Sequence, residues 1–197
     1  MTVKRILTIN KHEKLLKTPS EPVKKITKDI RQLAQDIKDT IDENPAVGLA
    51  APQIGILKRV FGARMGYDEE SEDEKQAQVE IFINPEILES SEELSRGYDA
   101  CLSIPGMLGY TDRNQKIKVR YLDEHGKKVE RDLEGMDARV FQHELDHLDG
   151  ILFLQRLSSL DDLYVNIKKD DGRIISIPYL KVREQASLGD VKSEPPR

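Results

Sequence analysis

The sequence predicts an α+β domain, with short strands and hairpins around a central metal-binding helix and a second helix near the N-terminus. Three observations predict it. Residues 26–41 carry an apolar stripe of helical period. Residues 79–133 hold short apolar or alternating runs bounded by turn residues. Residues 136–149 carry two histidines one helical turn apart.

The N-terminal helix rests on Ile26, Ile30, Leu33, Ile37 and Ile41, which recur at spacings of three and four and line one face over about 16 residues. Thr27 is the expected N-cap, Asp29 suits the first turn, and Asn44-Pro45 stops the helix. Residues 66–78 are strongly acidic and read as an exposed, mobile loop. Residues 79–84 read as a strand halted by Pro85. Residues 117–121 and 128–133 read as a hairpin around Asp123-Glu124-His125-Gly126, with His125 solvated in the turn. His12 carries no functional signal.

The metal-binding helix is expected over 136–149, with Gly150 as its C-terminal cap. Helical spacing puts Phe141, Leu145 and Leu148 on a core-facing side. It puts Met136, Arg139, Val140, His143 and His147 on another, with Glu144 at the margin. Residues 151–154 continue as a buried run, and 173–179 read as a strand. A single domain is expected over 1–186, followed by a polar, disordered tail over 187–197.

Composition narrows the function. Charged residues make up 34% of the chain, and the net charge is −5 with His neutral. That balance argues against sequence-independent binding to nucleic acid through a basic surface. No apolar run approaches the roughly 18 residues of a membrane span, and residues 1–7 lack a signal-peptide core. A single cysteine and no targeting segment fit a reducing cytoplasm.

The chemistry lies in His143-Glu144-Leu145-Asp146-His147 and in Cys101. The H-E-x-x-H spacing aims two imidazoles at one point, and Cys101 has no partner for an intrachain disulfide. A thiolate and two imidazoles make a three-ligand set with a position left open, as in catalytic sites. An ion held there activates water for attack on a carbonyl. Glu144 is placed to move the proton to the leaving nitrogen. The backbone N–H of Leu102 and the amide of Gln53 are candidate donors to the oxyanion. Asp146 has two options: to accept from a ligand imidazole, or to pair with Arg113 or Arg139.

Three segments stand in order: Gly48-Leu49-Ala50-Ala51-Pro52-Gln53-Ile54-Gly55, Cys101-Leu102-Ser103, and Gln142-His143-Glu144-Leu145-Asp146-His147. Together they closely resemble the three signature motifs of the peptide deformylase family, over about residues 5–157, and the resemblance implies an α+β fold with mixed and antiparallel strands around the central metal-binding helix. The resemblance implies a hydrolase that takes the formyl group from the N-terminal formyl-methionine of new polypeptides and releases formate. It assigns Cys101, His143 and His147 to Fe²⁺, with Zn²⁺, Ni²⁺ or Co²⁺ able to substitute. Gln53, Leu102 and Glu144 are then the catalytic groups. Val47, Gly48, Arg139 and Val140 are expected to contact the formyl-methionyl peptide.

The resemblance also brings in the ribosome as a partner, although the C-terminal segment shows no long amphipathic helix to dock with. Asp99-Ala100 replaces the usual Glu-Gly, Ala46 replaces a glycine, and Arg139 stands where an apolar residue is expected. Alanine at 100 would cost on the order of 1 kcal/mol if that site needs positive φ. The competing readings are an H-E-x-x-H metallopeptidase and a non-catalytic paralogue that binds formylated peptides.

Overall fold

The histidine-bearing helix touches both of two antiparallel sheets. The computed structural model describes residues 2–66, 77–169 and 171–187. Helices α1 (Ile9–Leu16) and α2 (Lys28–Asp42) come first, then β1 (Gly48–Ala50), a 3₁₀ turn (Ala51–Ile54) and β2 (Val60–Arg64). Five strands follow: β3 (Val79–Ser90), β4 (Leu94–Ala100), β5 (Met107–Asn114), β6 (Lys116–Leu122) and β7 (Lys128–Glu134). Helix α3 (Gly135–Leu148) carries the histidines, and β8 (Leu163–Lys168), β9 (Ile174–Pro178) and α4 (Tyr179–Ser187) close the described fold. One sheet has the order β1-β2-β3-β6-β7 and the other β4-β5-β8-β9. Helix α3 contacts β1, β2, β6 and β7 of the first and β5 of the second.

The helices form for the expected reasons. In α2 the side chain of Thr27 accepts from Ile30 N–H at 3.4 Å, and Ile30, Leu33, Ile37 and Ile41 are buried against Leu49, Val60, Ile81 and Ile83. In α3, Phe141 stands edge-on to Phe61 and Phe82, with ring centroids 5.3 and 5.6 Å away, and Phe61 and Phe82 stack at 4.6 Å. This aromatic cluster pins the core side of α3 and fixes how its other side faces. Gly150 has φ 71° just past the helix, as a C-terminal cap requires.

Several expectations need correction. The sheets are antiparallel rather than mixed: every strand pair runs antiparallel, and among the described residues the parallel bridge Glu21–Lys58 stands outside the strands. Pro85 does not halt its strand. Strand β3 runs through it because the register shifts between Ile83 and Glu86, so the missing N–H falls in a bulge. Beside it, Asn84 adopts φ 49° and brackets Val23, accepting from its N–H and donating to its carbonyl, each at 2.8 Å. The expected strand over 173–179 gives up Tyr179 to α4. The hairpin is present, with Tyr121 opposite Val129 and Asp123 accepting from the N–H groups of His125 and Lys127. The acidic segment, over 67–76, and the tail from 188 lie outside the described residues. Among the described residues, no helix is long and apolar enough to cross a membrane.

Candidate active site

Three segments from different elements meet in one cavity of about 540 Å³. Cys101 directly follows β4. His143 and His147 project from α3. Gln53 sits in the 3₁₀ turn after β1. The sulfur of Cys101 lies 3.2 Å from Nε2 of His147, and ligand atoms of Cys101, His143 and His147 all fall within 4.8 Å of one another. The two imidazoles stand nearly perpendicular at 5.1 Å, as their i, i+4 placement dictates.

The groups around this cluster are fixed by the backbone. Gln53 is 2% exposed. Its Oε1 accepts from Ala50 N–H at 2.8 Å, which turns its Nε2 toward Cys101 Sγ (3.4 Å) and Ser103 Oγ (3.2 Å). The N-terminal segment ties the two loops together, since Leu7 N–H donates to the Gln53 carbonyl and Ile9 N–H to the Ser103 carbonyl, at 2.8 and 2.9 Å. Glu144 is 4% exposed, and its Oε2 has no hydrogen-bond partner. Its other oxygen rests on Gly48, where a Cβ would lie 2.5 Å away. Val47, Gly48, Leu102, Arg139 and Val140 all line the cavity, with Met136 and Tyr98 beside them.

Electrostatics sort these groups by role. Burial opposes charge on Cys101, but the His147 charge and hydrogen bonds from both imidazoles hold its thiol well below the ordinary value. Burial would push the His143 imidazole down, yet hydrogen bonding to Asp99 and to Cys101 raises it to about 10. Burial raises Glu144 to about 7, against the pull of the two imidazoles. Such a carboxyl is poised for proton transfer near neutrality. The thiolate and the imidazoles are thus one another's charge partners. A divalent ion fits the same three atoms, because thiolate and imidazole suit Zn²⁺ and Fe²⁺ alike.

A buried ion-pair network lies behind His143. Oδ2 of Asp99 is 3.7 Å from Nδ1 of His143 and accepts from Thr111 Oγ1 and from Nε and Nη2 of Arg113. Burial opposes the Asp99 charge, but His143 and Arg113 hold it well below the usual carboxylate range. Asp146 resolves to its pairing option: it binds Arg113 at 2.9 Å and Arg156 at 2.5 Å, and no imidazole. Arg139 turns its guanidinium onto Asp99 Oδ1, Thr111 Oγ1 and the carbonyls of Ser95, Gly97 and Thr111. The strain considered for Ala100 is absent, since among the described non-glycine residues Asn84 alone has positive φ. Reading the sequence offers Arg113 as a partner of Asp146 but misses Thr111, and the link that Arg113 makes through Asp99 to His143. The available signal was a strand with polar residues at its inward positions.

Comparison with known proteins adds the decisive observation: residues 3–162 match the family described as Polypeptide deformylase. The chain belongs to the peptide deformylase family. A peptide deformylase of Bradyrhizobium diazoefficiens is 42% identical over 148 residues, covering 75% of this chain and 84% of the relative. The crystal structure of the Ehrlichia chaffeensis peptide deformylase with actinonin aligns with TM-score 0.72 and 38% identity, over 81% of this chain and 91% of that one. The Met-Ala-Ser-bound class I type b peptide deformylase of Acinetobacter baumannii aligns with TM-score 0.71 and 36% identity, over 79% and 100%. The matched span contains all three motif segments of this deformylase-family chain.

Proposed function

We infer that this cavity is the active site of a metal-dependent hydrolase that removes the formyl group from the N-terminal formyl-methionine of newly made polypeptides, releasing formate. The observation that carries the reading is the convergence of Cys101, His143 and His147 beside a buried, unpartnered Glu144 in a chain of this family. Membership in the family leaves neither the metallopeptidase nor the non-catalytic reading favoured.

Cys101, His143 and His147 would hold the ion, for which we propose Fe²⁺, with Zn²⁺, Ni²⁺ or Co²⁺ as substitutes. When bound, it supplies a Lewis acid and lowers the pKa of water. The chain's own groups do the rest. Glu144 takes a proton from the attacking water at its free Oε2 and returns it to the leaving nitrogen. The Gln53 Nε2 and the Leu102 N–H donate to the oxyanion that develops on the formyl oxygen. Strand β1 is the edge of its sheet, so Gly48 offers backbone groups to an extended peptide, while the carbonyl of the preceding Val47 is held by the Arg64 N–H and its side chain lines the cavity. Val140 and Met136 give the methionine side chain an apolar wall. The Met-Ala-Ser bound by the Acinetobacter relative begins with the residue that deformylation uncovers.

The test is Glu144→Gln, assayed for formate release from a formyl-methionyl peptide and for bound metal. Activity should fall by about 10²–10⁴ while metal stays bound. Loss of the metal itself would remove Glu144 from the acid–base role. Air should inactivate the Fe²⁺ form, with the Ni²⁺ form surviving. Equal survival would count against iron.

A further inference from the structure

Arg139 lines the cavity, and its guanidinium is bound within the fold: of the options its place on α3 leaves open, the pairing with Asp99 is present. Arg139 is 7% exposed. Nη1 donates to the Gly97 carbonyl, Asp99 Oδ1 and Thr111 Oγ1 at 3.0–3.2 Å, and Nη2 to the carbonyls of Ser95 and Thr111 at 2.6 and 3.2 Å. A buried guanidinium needs such an array, because an unpaired donor in the interior costs about 1–3 kcal/mol.

The room for it comes from Gly97. A Cβ on Gly97 would lie 2.9 Å from Cζ and 3.0 Å from Nε and Nη2 of Arg139. Gly97 lies inside β4 and its φ is not positive, so the backbone does not demand a glycine there. Space demands it. Any side chain at 97 must shift the guanidinium from the place where it meets its acceptors.

Asp99 gains most from this fit. Arg139 holds Oδ1, while Arg113 and Thr111 hold Oδ2, so the carboxylate is clamped from two sides. The clamped carboxylate faces Nδ1 of His143, leaving the other ring nitrogen for the ligand cluster. We propose that Arg139, seated in the space left by Gly97, is a positioning residue: it fixes Asp99, and Asp99 in turn orients the His143 imidazole as a metal ligand. The inference rests on the metal-site reading above.

The test loads the full chain with Co²⁺, follows metal loss to a chromophoric chelator and the visible spectrum of the bound ion, and measures kcat and KM for a formyl-methionyl peptide. Arg139→Leu and Gly97→Ala should each release metal about tenfold faster, the low end of what partners of ligating histidines contribute. The loss of activity should fall on kcat, with KM unchanged. In the Arg139→Leu background, Gly97→Ala should add nothing, since the group it displaces is gone. If Arg139→Leu fails to fold, Gly97→Ala decides alone. Metal held as tightly as in the parent, an effect confined to KM, or additive losses in the double variant would each overturn the proposal. A parent chain that holds no Co²⁺ would instead take down the metal-site reading, and the inference with it.

Discussion

At Gly48 the margin is one methyl group. The Glu144 carboxylate lies against its Cα, with Oε1 at 2.5 Å from where a Cβ would stand. Gly48→Ala should therefore shift the Glu144 carboxylate, the proposed acid–base, and leave Cys101, His143 and His147 in place. Because misplacing a catalytic group by about 1 Å can cost about 10²-fold, formate release should fall by about that much with metal content unchanged. Loss of metal in Gly48→Ala would mean that the disturbance reaches α3 itself. Residues of this kind divide by how local their signal is. Cys101, His143, Glu144 and His147 are legible in the sequence because residue type and helical spacing carry the chemistry. The positions of Asp99, Thr111 and Arg113 are not, since β4 and β5 bring them behind His143 only after folding. Arg139 was legible as a charge near the site, but the direction of its head depends on a space at Gly97 that no spacing rule reports.

Elements with a strong apolar period read best. Helices α2 and α3 and the β6–β7 hairpin all have one, and their bounds fall within two residues of expectation. Strands β4 and β5 have none. Their inward positions are Ser95, Gly97 and Asp99 on one strand and Met107, Gly109, Thr111 and Arg113 on the other, so Met107, at the start of β5, is the one large apolar side chain on that face. That pattern looks like a loop in sequence because the interior it faces is an ion-pair network rather than oil. The end of α3 was legible for a second reason. Gly150 needs φ 71°, and a Cβ there would also meet the Lys17 carbonyl at 2.6 Å. Gly150→Ala should thus cost at least the roughly 1–2 kcal/mol of a left-handed L-residue. It should lower Tm by several degrees, as read by calorimetry. An unchanged Tm would show that the N-terminal segment yields freely.

Across the whole molecule, the candidate ligands straddle the two sheets. Cys101 leaves β4 of the four-stranded sheet, while α3 packs its aromatic anchor on the five-stranded one. An ion joining them stabilises the native state alone, by about 4 kcal/mol at a thousand times Kd. Stripping the metal with a chelator should lower Tm, and returning it should restore Tm. The same chelator should leave the Tm of Cys101→Ala unmoved. A parent Tm indifferent to chelation would argue that the two sheets hold together without the ion.

Leu7 and Ile9 donate to the carbonyls of Gln53 and Ser103. The leading stretch of polypeptide is thereby a splint, bound across the loop that offers the amide and the loop that offers the thiolate. Its loosening would let those two loops drift apart with every reacting side chain still present. A cut or a substitution that unseats residues 7–9 would thus act on the candidate site from outside it.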